Sequence, residues 1–169
     1  SLTGHMANAA EAAMAEVNAS GKAKNNYISV RGDDTCTDAA AATAAAERAV
    51  TAEGVKGIIG GDCSGVTRAM LTNVAMPNGI VMVSPSATSP ALTADPDNGL
   101  FFRTAPSDAR EGEVMADILT EKGVKSIALT YSNSDYGKGL AEAIASAFTA
   151  KGGVVTINAA HDDGKADYS

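Results

Sequence analysis

The sequence predicts a doubly wound α/β fold, in which helices cover both faces of a parallel sheet. Short, apolar, β-branched runs alternate along the chain with longer segments whose apolar residues recur every three or four positions. Such runs between amphipathic helices are typical of parallel strands that are buried on both faces. The net charge of −7 and the lack of any Lys/Arg cluster argue against nucleic acid or an anionic membrane surface as a partner.

The helices are predicted from their apolar spacing and from the residues at their ends. Thr37 is placed as the N-cap of an alanine-rich helix that ends near Gly54. Asp108 and Glu111 have capping-box spacing at the start of a later helix. Apolar residues at helical spacing predict further helices over 6–17, 66–74 and 140–148.

The strands are predicted from short apolar runs at 27–30, 55–60, 80–83, 100–102, 126–130 and 154–157. In a doubly wound sheet, ligands bind beyond the carboxyl ends of the strands. The segments that follow the strands are therefore the predicted binding segments, and they are 31–34, 61–65, 84–89, 104–108 and 131–136. The chain opens on a helix, without the strand that normally begins such a domain, so we expect a fragment.

The segment from Gly61 to Gly65 lies between a predicted strand and a predicted helix. Ser64 is placed to cap that helix, whose first amide groups and positive dipole end attract a carboxylate or a phosphate. A simple helix cap without a ligand is an equal alternative.

The same segment fits the pattern Gly61-x-Cys63-x-Gly65, which is a cysteine version of a nucleophile elbow. This favours a second hypothesis, a cysteine hydrolase that uses Cys63. A nucleophile needs a histidine and an orienting acid, and the chain offers only His5 and His161.

Two loops offer further candidate ligand contacts. The hydroxyl-rich loop from Ser84 to Pro90 has carbonyl and hydroxyl oxygens that suit an ammonium group, although a Ser/Pro turn is the alternative. Tyr136 follows the strand at 126–130 and either lies over a ligand or packs against its own helix.

Cys36 and Cys63 are the two cysteines of the chain. They are either two buried thiols or one disulfide formed in an oxidising compartment, and the count alone does not decide. The absence of a CxxC motif and of a histidine cluster argues against a zinc site. There is no Walker-A or GxGxxG sequence, so no cofactor is predicted.

Taken together, these segments resemble the type I periplasmic solute-binding proteins of the branched-chain amino-acid (Leu/Ile/Val-binding) ABC transporter family. The Ser-Pro-Ser-Ala-Thr loop at 84–88 is the most specific piece. The resemblance covers most of the chain, in the pieces 16–21, 32–36, 57–60, 63–65, 83–93, 102–108, 135–141 and 167–169.

The resemblance implies a binding site for an amino acid. Its ligand-binding residues would be Ser64, Gly65, Ser86, Ala87, Thr88 and Tyr136. Ser64 and the adjoining helix amides would hold the ligand carboxylate. The loop backbone and the Thr88 side chain would hold the ammonium and carboxylate groups, and Tyr136 would close over the ligand from a second lobe.

The resemblance also implies a disulfide between Cys36 and Cys63, a periplasmic or extracellular location, a lipid anchor in some full-length forms, and an ABC-transporter permease as partner. Residues 1–105 would form a first lobe without its opening strand, and residues 106–169 the crossover and the beginning of the second lobe. A ligand-sensing ectodomain of the same fold is the alternative, because both classes bind ligand in the same way.

Overall fold

The computed structural model describes residues 3–32, 35–164 and 167. Asp33-Asp34 and Tyr168-Ser169, which belong to the segments that carry the family resemblance, therefore lie outside the described residues. The chain divides into two compact units. Unit 1 contains residues 1–62, 66–86 and 97–104, and unit 2 contains residues 63–65, 87–96 and 105–169.

Unit 1 is built on a three-stranded parallel sheet. Its strands are β1 (Gly57–Ile59), β2 (Val81–Ser84) and β3 (Phe101–Arg103), in the order β1-β2-β3. The central strand pairs Met82 with both neighbours, and Met82 is completely buried. The parallel pairing confirms the predicted α/β class.

The helices of unit 1 are α1 (Thr3–Ala19), α2 (Ala39–Thr51) and one long helix in three parts. The long helix begins as α3 (Ser64–Met70), whose first two residues belong to unit 2. It widens into a π-helical turn (Leu71–Ala75) and ends as α4 (Met76–Asn78), after which Gly79 adopts a left-handed conformation. The buried side chains are mostly small or aliphatic, as expected from a chain with few aromatic residues.

Unit 2 contains two parallel strands, β4 (Ser126–Ser132) and β5 (Val154–His161). Its helices are α5 (Ala91–Ala94), α6 (Asp108–Glu121) and α7 (Asp135–Ala150). Ala116 of α6 is fully buried, and Ala141 and Phe148 of α7 are nearly so. Among the described residues, no helix is both long enough and apolar enough to span a membrane.

The predicted strand at 27–30 is wrong. The Asn18 side chain binds both backbone groups of Tyr27: its amide donates to the Tyr27 carbonyl over 2.9 Å and its oxygen accepts from the Tyr27 N–H over 2.8 Å. These are the groups that a strand would use to pair with a neighbour. The segment is therefore tied to α1 and does not enter the sheet.

The predicted caps of two helices are each displaced by one residue. Asp38, and not Thr37, caps α2, because its carboxylate accepts the Ala41 N–H over 2.9 Å. Ser107, and not Asp108, caps α6 through the Ala109 N–H. Asp108 is therefore the first residue inside α6, where its side chain has a different role.

Candidate functional site

Ser64 is the first residue of α3 and is only 1% exposed. Its hydroxyl oxygen accepts the backbone N–H of Ser89 over 3.1 Å. This contact joins the start of the helix to the hydroxyl-rich loop, and the sequence analysis predicted these two segments as separate candidate ligand contacts. It uses the Ser64 oxygen as an acceptor and does not consume the hydroxyl proton.

Thr88 and Asp108 form a two-point contact. The Thr88 hydroxyl donates to the Asp108 carboxylate over 3.0 Å, and the Asp108 N–H donates to the Thr88 carbonyl over 3.0 Å. Asp108 is 2% exposed, whereas Thr88 is half-buried. The loop is thus fixed at Thr88, a residue that is not fully buried.

The beginning of the same loop is shaped by a serine hydroxyl. Ser84 is fully buried, and its hydroxyl donates to the Gly61 carbonyl over 2.7 Å. The Ser84 oxygen also accepts the Ser86 N–H over 3.3 Å. Ser86 is half-buried, and Ala87 is 1% exposed. The polar residues of this loop therefore serve first to hold its backbone in a non-repetitive shape.

Two glycines lie where α7 comes close to the hydroxyl-rich loop and to the start of α3: Gly139 of α7 faces the loop, and Gly65 of α3 faces α7. A Cβ atom added to Gly139 would lie 2.9 Å from the Ser89 hydroxyl oxygen, which is closer than packing allows. Gly65 has more room, since an added Cβ would lie 3.8 Å from the side chain of Asp135 in the first turn of α7. A carboxylate side chain is therefore held close to the first turn of α3.

Tyr136 follows Asp135 and is 47% exposed. Partial burial raises the pKa of the Tyr136 phenol, and the negative charges of Asp108 and Glu111 raise this pKa further. Tyr136 consequently lies within the electrostatic reach of the carboxylate that binds Thr88. At neutral pH the phenol keeps its proton and offers both an apolar ring and a hydrogen-bond donor.

Cys36 and Cys63 are disulfide-bonded, which confirms the pairing that the resemblance implied. Cys63 directly precedes Ser64, so the bond anchors the segment that begins α3. A sulfur in a disulfide carries no thiol proton and provides no thiolate. The hydrolase hypothesis therefore lacks its nucleophile in this oxidised state. The histidine it would need from β5, His161, shares a hydrogen bond of 2.8 Å with the Thr130 hydroxyl.

Most of the predicted ligand-binding residues belong to one unit. Ser64, Gly65, Ala87, Thr88 and Tyr136 lie in unit 2, and Ser86 lies in unit 1. Ser89, Asp108 and Asp135 lie within the predicted binding segments 84–89, 104–108 and 131–136, but they were not among the predicted ligand-binding residues. The position of Asp108 in a predicted first helical turn was a signal, but it suggested a helix cap and gave no indication of the contact with Thr88.

The family described as the receptor family ligand binding region matches residues 5–169. The chain belongs to this family. The relatives found by sequence and the solved structures found by fold agree with the resemblance predicted from the loops. The predicted recognition and the predicted fold are therefore confirmed.

Curated relatives include the Leu/Ile/Val-binding protein of Escherichia coli (strain K12), which is 37% identical over 137 residues, covering 80% of this chain and 36% of that protein. The Leu/Ile/Val-binding protein homolog 3 of Brucella melitensis is 34% identical over 152 residues, covering 88% of this chain and 40% of that protein. The chain spans less than half the length of these relatives.

Solved structures of the same fold include the branched-chain amino-acid transporter substrate-binding protein of Streptococcus pneumoniae in complex with isoleucine. It is 28% identical with a TM-score of 0.74, covering 93% of this chain and 44% of that one. An ABC transporter substrate-binding protein from Desulfitobacterium hafniense is 26% identical with a TM-score of 0.74, covering 97% of this chain and 46% of that one.

Proposed function

We propose that this chain belongs to the extracytoplasmic solute-binding component of an ABC transporter and binds a branched-chain or similar amino acid. The single observation that carries the proposal is the hydrogen-bonded loop at 84–89, which holds the half-buried Thr88 next to Ser89, the residue bonded to the start of α3. Rigid loops that present a few polar groups are typical of small-molecule sites. The relatives named above support an amino acid as the ligand class.

The ligand carboxylate would be held by the first amides of the helix that begins at Ser64 and Gly65, with the Ser64 hydroxyl as a further donor. Amide groups in a first helical turn have no intrahelical partner and attract negative charge. Ser64 is buried in this structure, whereas Gly65 is half-buried, so Gly65 is the more accessible residue of this contact.

The ligand ammonium would be held by the Thr88 hydroxyl and the backbone at Ser86 and Ala87. Carbonyl and hydroxyl oxygens accept hydrogen bonds from an ammonium group, and Thr88 is the more accessible of the two loop positions 87 and 88. A zwitterion would therefore be oriented at both ends, with its carboxylate on the helix amides and its ammonium on the loop oxygens, and its side chain would extend away from both groups.

In the full-length protein we propose a cleft between two lobes, the first formed by residues 1–105 and the second beginning within residues 106–169. Ligand binding would stabilise a closed form in which Tyr136 covers the ligand, as in other hinge-closing receptors. The closed form would be recognised by a membrane permease. The proposed location is periplasmic or extracellular, with a lipid anchor as one way of retaining the protein, and the ligand undergoes no chemical change.

We expect that replacing Tyr136 by alanine in the full-length protein weakens leucine binding about tenfold, or by about 1.4 kcal/mol. The ring would lose its apolar contact with the ligand and its role in excluding water. Because the ring is 47% exposed, its removal should leave the fold intact. Isothermal titration calorimetry with leucine measures the effect.

Tyr27→Ala is the matched control, because Tyr27 is 56% exposed and its contacts with Asn18 involve only the Tyr27 backbone. This control should bind leucine as tightly as the unmodified protein. Equal affinities for the control and Tyr136→Ala would reject the covering role of Tyr136. No binding of any amino acid by the unmodified protein would reject the proposed function.

A further inference from the structure

We propose that Cys36, Asp62 and Cys63 form a binding site for a soft divalent cation such as Zn²⁺ when the disulfide is reduced. Each residue offers one ligand atom, and these three atoms lie within 4.8 Å of one another. No CxxC motif marks this site in the sequence, because its two cysteines come from separate segments. The proposal goes beyond amino-acid binding, which requires no metal.

The contact between Cys36 and Asp62 places a carboxylate beside the disulfide. The Cys36 Sγ atom lies 4.0 Å from the Asp62 Oδ2 atom. Cys63 follows Asp62 in the chain and is disulfide-bonded to Cys36, so covalent bonds keep the third donor next to the other two. Asp62 and Cys63 are half-buried and Cys36 is exposed, so one side of the site is open to solvent.

The donor set suits zinc once the disulfide is broken. Reduction by a dithiol breaks the S–S bond, adds one electron and one proton to each sulfur, and oxidises the dithiol to a disulfide. Zn²⁺ then displaces the two thiol protons to solvent and binds two thiolates and one carboxylate oxygen, with water as a fourth ligand. Mg²⁺ and Ca²⁺ prefer oxygen donors, so the two thiolates disfavour both ions.

The spacing of the donors is close to what a tetrahedral zinc site needs. Bonds of about 2.3 Å to sulfur and about 2.1 Å to oxygen put neighbouring donors roughly 3.6–3.8 Å apart. The distance of 4.0 Å between the Cys36 sulfur and the Asp62 oxygen is only slightly longer. Breaking the disulfide also lets the two sulfur atoms separate to that spacing. Small side-chain rotations are therefore sufficient to complete the site.

Both segments that carry the donors are held by hydrogen bonds that do not involve sulfur. The Asp38 N–H donates to the Thr35 carbonyl over 3.0 Å, which closes the turn that contains Cys36. In the other segment, the buried Ser84 hydroxyl donates to the Gly61 carbonyl over 2.7 Å, directly before Asp62. These bonds do not require the disulfide, and a frame that is already ordered lowers the cost of gathering the ligands.

The experiment reduces the full-length protein with a phosphine, removes the excess reductant without oxygen, and titrates Zn²⁺ in competition with a chromogenic zinc indicator. We expect the reduced chain to bind one more zinc ion than the oxidised chain. Co²⁺ in place of Zn²⁺ should show the absorption bands of tetrahedral coordination and of thiolate-to-metal charge transfer. Zn²⁺ should also raise the urea midpoint of the reduced protein and leave that of the oxidised protein unchanged.

Asp62→Asn is the decisive variant, because it keeps both thiols and removes the carboxylate. It should weaken zinc binding by the reduced protein at least about tenfold, since even the loss of a residue that supports a metal ligand commonly has that effect. Asp117→Asn is the matched control, because Asp117 is exposed and pairs with Lys151 at the surface. It should leave the zinc affinity unchanged. Cys36→Ser should remove the additional zinc ion.

Two results would overturn the metal site directly. One is a reduced protein that binds no more zinc than the oxidised protein, and the other is an Asp62→Asn variant that binds zinc as tightly as the unmodified chain. If reduction alone unfolds the protein, Zn²⁺ added before the reductant should preserve the circular-dichroism spectrum of the folded chain, and loss of that spectrum also rejects the site. None of these readouts depends on leucine, so the proposed function is tested separately.

Discussion

Replacing both Cys36 and Cys63 by serine is expected to lower the free energy of unfolding by about 3–4 kcal/mol. The disulfide closes a loop of roughly 25–30 residues, and the chain-entropy model gives this magnitude for a loop of that size. The cross-link limits the conformations of the unfolded chain more than it adds contacts to the folded one. Urea unfolding, with comparison of the midpoints and slopes, measures the change.

The reductant response supplies the control for this prediction. Treatment with a phosphine reductant should destabilise the unmodified protein by a similar amount and leave the double-serine variant unaffected. A loss of less than about 1 kcal/mol in the variant would contradict the prediction, because native-state strain would then offset the stabilisation that loop closure provides.

Gly112→Ala is expected to destabilise the protein by about 2–3 kcal/mol, the range for forced overpacking in a well-packed region. An added Cβ at position 112 of α6 would lie 2.6 Å from the carbonyl carbon and 2.8 Å from the carbonyl oxygen of Ala143 in α7. Both atoms belong to the backbone of a helix, so they cannot rotate away as a side chain would. The two helices would have to separate. Thermal unfolding and urea titration measure the loss.

Gly4→Ala in α1 is the matched control, because nothing lies within 4 Å of the added Cβ. Alanine is a better helix former than glycine by up to about 1 kcal/mol, so this variant should be neutral or slightly stabilised. Similar losses in the two variants would show that the close approach of α6 and α7 is not what requires a glycine at position 112.

The arrangement of strands and helices was predictable because it depends on local patterns. The apolar runs that became β1, β2 and β3 are separated by segments with helical spacing, and parallel pairing follows from that alternation. The start of α3 at Ser64 was predictable for the same reason, since a strand, a glycine turn and a serine precede its apolar face.

Contacts between distant residues were not predictable from local patterns. The apolar run after Tyr27 resembles a strand, but the Asn18 side chain, nine residues earlier, occupies the Tyr27 backbone groups. Asp108 has the spacing of a helix cap, yet its carboxylate binds Thr88, twenty residues earlier. Likewise the cysteine count left free thiols and a disulfide equally open, and only the family resemblance pointed to the pair.

The π-helical turn at 71–75 affects which residues the helix directs toward the sheet. A π turn accommodates one residue more than a regular α-helical turn, and the Asn78 side chain binds the Val74 carbonyl over 2.8 Å. A helical projection that assumes regular α-helical spacing would therefore misplace the residues after this turn by about one position. Because successive strand residues face opposite sides, a shift of one residue in β2 would exchange the buried Met82 with its exposed neighbour Val81.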